Sequence, residues 1–166
     1  MNTYTLSRGL IGGAVLVIAA APAFAQALST HRIPAALALE AVGAAVEACK
    51  SQGYAESAVL VDASGARQAV LRGDNAGIHS IDSAMGKAYT SASFKAPSGA
   101  VAERLLASPP TAQLGLLPHV LLLGGGLPIK VGDEVVGAIG AAGAPGADKD
   151  EACAKAGIDK IADRLK

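Results

Sequence analysis

From Pro34, Leu37, Val42, Val46 and Cys49 hold one helical stripe to about Gln52, where Gly53 ends it. The next runs change period. Ser57 to Asp62 (SAVLVD) and Arg67 to Arg72 (RQAVLR) are short and rich in β-branched or alternating residues, and the Gly65-containing turn between them makes a hairpin. Gly77 to Lys95 returns to helical spacing, with Ile78, Ile81, Met85 and Ala88 on one stripe and His79, Ser83, Lys87 and Thr90 on another. The first stripe is expected to face the core. Ala96-Pro97-Ser98 breaks this helix, and Ser98 is placed to cap a third over Val101 to Ala107.

After a Pro-Pro loop at 108–111, Val120 to Leu123, Leu127 to Val131 and Glu134 to Ala142 read as three strands, the last two joined by Gly132-Asp133. Asp148 is placed to cap a final helix over about 149–165. The predicted order is α-β-β-α-α-β-β-β-α. Strand pairs joined by short turns imply an antiparallel sheet, so the expectation is an α+β domain with five antiparallel strands and helices packed on them.

The first 25 residues change how the rest is read. Arg8, the apolar run Gly9 to Ala21 and the Ala23-Phe24-Ala25 site have the layout of a cleaved secretory signal. One domain over 26–166 then remains, expected to be periplasmic or secreted and to have no membrane span. Without Arg8, 13 Lys and Arg face 14 Asp and Glu, a formal charge of −1. No basic excess is left to attract nucleic acid. The remaining aromatics are Tyr54, Tyr89 and Phe94, so the core must be built from Leu, Ile, Val and Ala. Cys49 and Cys153 fall in the first and last helices, where they are either a disulfide between neighbouring helices or two buried thiols.

Histidine offers three candidates. His31 lies in an N-terminal arm, His119 follows Pro118 at a strand entrance, and His79 sits near a helix N-terminus, where the dipole favours the neutral imidazole that can ligate a metal. Met85 and Tyr89 carry a thioether and a phenol of the kind that ligate haem iron, though at helical spacing they also suit a core. Arg67, Arg72, Lys87 and Lys95 can pair with ligand carboxylates or merely solvate a face. The run Gly124-Gly125-Gly126 lacks the Lys-Ser or Lys-Thr ending of a phosphate loop; it is either a tight connection needing positive φ or a place where backbone approaches a ligand. No local zinc spacing, nucleophile elbow or carboxylate pair appears.

Three stretches, VLVDASGARQAVLR, RGDNAGIHSIDSAMGKAYTSASFK and LLPHVLLLGGGLPIKVGDEVVGAIGAAGAPGADKDEACAKAGI, together resemble the GlcG/HbpS-like family of haem-binding and haem-degrading proteins, over about Ala35 to Ile161. The resemblance implies a profilin-like α+β domain with a five-stranded sheet, a haem ligand and assembly into a homo-oligomer. On that view His79 offers the iron-binding nitrogen with His119 as its competitor, Lys87 and Arg72 meet propionates, and Gly124, Gly125 and Gly126 let backbone approach. Two other functions stay open: a small organic-acid enzyme or accessory factor using Arg72, His79 and Lys87, and a cofactor-free structural subunit.

Overall fold

The computed structural model describes residue 1 and residues 31–165, so the leader predicted over 1–25 lies outside the described residues. Among the described residues, five α-helices and four strands follow one another: α1 (Ala35–Lys50), β1 (Ser57–Asp62), β2 (Arg67–Arg72), α2 (Ser80–Phe94), α3 (Ser98–Leu106), the one-turn α4 (Pro109–Ala112), β3 (Gly126–Val131), β4 (Glu134–Ala142) and α5 (Ala147–Ile161). The strands form one antiparallel sheet in the order β2-β1-β4-β3. The α+β class and the antiparallel sheet agree with the sequence reading.

The fifth strand does not form. Val120 to Leu123 is irregular and pairs with no strand: Val120 N donates to Leu117 O at 3.1 Å and Leu123 N to Leu121 O at 3.0 Å, and its other backbone bonds run to side-chain hydroxyls. Thr90 Oγ1 accepts from Leu121 N at 2.8 Å and donates to Leu121 O at 3.2 Å, and Ser98 Oγ donates to Leu123 O at 2.7 Å. The run is only half-buried, with Leu123 52% exposed, so its apolar composition reports neither full burial nor which groups satisfy the backbone. Ser98 is therefore a tether inside the first turn of α3 and makes no capping bond, and Asp148 likewise lies inside α5 without capping it.

The sheet is covered on both faces. On one, α1 and α5 bury Ala38, Val42, Ala45 and Cys153 against Ala58, Leu60, Ile129 and Ile139. On the other, α2 lays Ala84, Ala88 and Ala92 on Val59, Val61, Ala138 and Ala142. β1 is thus apolar on both faces, and that is why SAVLVD shows no alternation. Val136 in β4 packs with the first face and Ala138 with the second. The register shift against Ile129/Lys130 supplies the one-residue bulge that allows it.

α2 lies almost on the backbone of the sheet. A Cβ at Gly140 would overlap the Ala84 carbonyl, and one at Gly126 would overlap the Lys87 carbonyl. The expected core stripe of α2 is realised only in part: Ala88 is fully buried, and Ile81 and Met85 pack against the same cluster, but Ile78 precedes the helix. Ile78 is 82% exposed and Ile81 and Met85 are only half-buried, whereas Lys87, Thr90 and Ser91 are buried. Small residues at the contact put the helix too near the sheet for large apolar side chains, and Ile81 and Met85 sit at its flanks.

Cys49 and Cys153 are bridged, with Cα atoms 5.5 Å apart, and so join α1 to α5. Closing a loop of 104 residues stabilises by about 4–5 kcal/mol in the chain-entropy model.

Candidate functional site

A groove of about 600 Å³ opens where the β1–β2 turn meets α2, lined among others by Gly65, Arg67, Asp82, Met85, Tyr89 and His119. Its geometry begins in the turn. Asp62 Oδ1 accepts from Ser64 N at 2.8 Å, Ser64 Oγ at 2.6 Å and Ala66 N at 3.0 Å. Burial pushes the Asp62 carboxyl up, but these donors outweigh it and hold it below the usual carboxylate range. Gly65 follows at φ 82°, and a Cβ there would stand 2.7 Å from the Tyr89 ring. Only glycine lets the turn lie against that ring.

Asp82, Met85 and Tyr89 share one face of α2 because they sit at positions i, i+3 and i+7. His119 comes from the segment before β3. Gly86 leaves room for that segment, since a Cβ there would come within 2.8 Å of Leu121 Cβ, and the two Thr90 bonds pin it. Its imidazole faces the Tyr89 ring with centroids 5.5 Å apart and planes tilted by 56°. His119 also holds φ 67°, a left-handed conformation that costs a non-glycine residue about 1 kcal/mol. The groove thus collects an imidazole, a phenol and a thioether beside a guanidinium, a donor set that fits haem iron and its carboxylates.

The other predicted site residues lie elsewhere. His79 stands exposed at the N-terminal end of α2, folded over Gly77, and ten residues of helix set it about 15 Å along the axis from Tyr89. Arg72 donates from Nε to Ala76 O at 2.9 Å, and its Nη2 contacts the same carbonyl, closing the 73–76 loop. Lys87 is 3% exposed; its Nζ donates to Asp150 Oδ2 at 2.5 Å and to Ala141 O at 3.0 Å. Gly125 lies against this ion pair, and a Cβ on it would come within 2.9 Å of Lys87 Nζ and 2.8 Å of Asp150 Cβ. Of Gly124, Gly125 and Gly126, Gly125 holds a positive φ of 115°. His31 Nδ1 meets Glu134 at 2.6 Å on the surface.

Sequence reasoning passed over Glu56 and Asp150. Asp150 had a readable signal: it shares the buried stripe of α5 with Cys153, Ala154 and Gly157, where an acid needs a partner. Glu56 directly precedes β1, is 1% exposed, and places Oε2 2.6 Å from Cys49 Sγ. Burial and then the Asp150 charge push its carboxyl up to about 8. Cys49, Glu56 and Cys153 form a cluster tight enough for a metal ion, but its two sulfurs are bonded to each other.

A four-stranded antiparallel sheet covered by helices on both faces, with an open groove at one hairpin turn, defines the class as an α+β domain. The chain belongs to the HbpS-like family: the family model described as "Haem degrading protein HbpS-like" matches residues 33–159. Among solved structures, a double mutant of HbpS from Streptomyces reticuli is 40% identical, with 85% of this chain and 97% of that one covered, at a TM-score of 0.75. A second HbpS structure is 38% identical over 81% and 93%, at a TM-score of 0.76. The PduOC:heme complex shares the fold, at 23% identity over 74% and 89% and a TM-score of 0.66. No curated protein matches the chain.

Proposed function

We propose that the protein is exported and binds haem in the groove between the β1–β2 turn and α2, with His119 as the ligand nitrogen. The observation that carries this reading is the gathering of His119, Tyr89 and Met85 beside Arg67, in a chain of a family described as haem-degrading. A volume of about 600 Å³ falls in the range of small-molecule sites. The left-handed backbone of His119 adds support, because strain of this kind is kept where a side chain must be aimed. Arg67 is placed for a propionate. Bound haem would supply the redox chemistry, while the chain orients it and shields one face.

Export is supported by the leader pattern over 1–25 and by the disulfide. The groove is open on one side, and the turn just before His119 exposes Leu116 (83%) and Leu117 (50%). A second copy of the chain covering these leucines would close it.

Haemin titration of the purified protein, followed at the haem absorbance band, tests the assignment. The expected result is a saturable shift that His119→Ala abolishes and His79→Ala leaves intact. Loss in the His79 variant alone would move the ligand to the helix N-terminus, and no shift in the parent would remove the haem reading.

A further inference from the structure

The contact between Glu56 and the disulfide belongs to no haem site. A disulfide sulfur carries no proton, so an oxygen 2.6 Å from Cys49 Sγ is favourable only when the hydrogen sits on the carboxyl. As an acid, Glu56 donates Oε2–H to the sulfur. Its other oxygen, Oε1, is buried without a partner. Burial and the Asp150 carboxylate favour the same state, and they outweigh the Lys87 ammonium and the Ala144 N–H, which favour the carboxylate. Lys87 from α2 and Asp150 from α5 already cancel each other, so a second carboxylate would leave the interior with an uncompensated negative charge. Lys50 and Asp74 stand farther out, on a cavity of about 330 Å³ that Glu56 also lines with Val46 and Tyr54.

We propose that Cys49, Cys153 and Glu56 form a thiol–disulfide exchange site in which Glu56 is the proton donor and acceptor for Cys49. A thiolate attacking Cys153 Sγ forms a mixed disulfide there and breaks the bond to Cys49. The electron pair goes to Cys49 Sγ, which takes the proton of Glu56 and leaves a carboxylate. A second thiol then attacks the sulfur of the first; Cys153 leaves, is protonated, and the two reducing thiols depart as their own disulfide. Water in the adjoining cavity returns the proton to Glu56. In the reverse direction the Glu56 carboxylate takes the Cys49 proton and makes the thiolate that re-forms the bridge. Both sulfurs are fully buried, so attack follows a local opening of α5 from α1.

The test is the rate at which dithiothreitol reduces the native protein, read by thiol labelling and divided by the fraction of reductant present as thiolate. For the parent this rate is expected to be level at neutral pH and to fall above about pH 8, where Glu56 loses its proton. Glu56→Gln keeps the shape and removes the acid, so its rate at neutral pH should be lower by about tenfold or more and show no break. Equal rates in the two proteins, or a parent without the break, overturn the proposal. A parent rate that rises in low urea with the slope of global unfolding also overturns it, because Glu56 is beside Cys49 only in the folded chain. A rate independent of low urea supports it.

Discussion

The protein holds two groups of ionisable side chains that differ in what surrounds them. Glu56, Lys87 and Asp150 lie inside, and their protons and charges are largely committed to one another, to the Ala141 carbonyl and to the Ala144 N–H. Arg67, Asp82, Tyr89 and His119 line an open groove, and no side-chain hydrogen bond among the described residues engages any of them. The first group shows how an interior tolerates charge: each group has a partner, or a proton that removes the charge. The second is chemistry without an internal use. The buried charges of Lys87 and Asp150 belong to the architecture, and the polar groups left facing the open groove are the ones available to a ligand.

Breaking the interior pair should give the largest effect. Lys87→Met leaves Asp150 buried and unpaired, a loss of about 3–5 kcal/mol in a denaturant titration, whereas Lys87→Met with Asp150→Leu should recover most of it. A partial recovery would mean that the Asp150 bond to Ala144 N matters as much as the ion pair. Gly140→Ala pushes α2 off β4, and the same titration should show a loss of about 2–3 kcal/mol.

The proton on Glu56 gives the next effect. Its folded value is raised from 4.5 to about 8, so between these limits the folded chain binds more protons than the unfolded one. The stabilisation is complete below pH 4.5 and is lost as pH rises towards 8, with a slope of at most about 1.4 kcal/mol per pH unit. Glu56→Gln should flatten that decline, as seen in unfolding midpoints across the window.

Groove variants should separate stability from binding. His119→Gly relieves the left-handed backbone and should raise stability by about 1 kcal/mol while lowering haemin affinity, opposite signs that an interior residue would not give. His79→Ala, exposed and outside the groove, should change stability by no more than about 0.5 kcal/mol.

Periodicity and turn residues were enough to read α1, the β1–β2 hairpin and the β3–β4 pair, because each is a local pattern. Val120 to Leu123 could not be separated from a strand, since what differs is the partner, and Thr90 and Ser98 lie about thirty and twenty-five residues away. Lys87 was read as a ligand partner for a related reason: a lysine looks solvated until Asp150 arrives from α5. The close seat of α2 on the sheet was not legible because the glycines facing it belong to other elements, Gly126 to β3 and Gly140 to β4. In the groove, Tyr89, Met85 and His119 were already candidates; their meeting required the fold. Asp82 was passed over because an acid in the first turn of a helix needs no further explanation.

The bridge between Cys49 and Cys153 also turns the chain between them into a covalent ring that contains all four strands and helices α2 to α4. A single proteolytic cut anywhere in that ring, such as in the leucine-bearing turn before His119, leaves one molecule heavier only by the water of hydrolysis. The pieces part only on reduction, so a nicked population would run as intact protein on a non-reducing gel and as two fragments after thiol treatment.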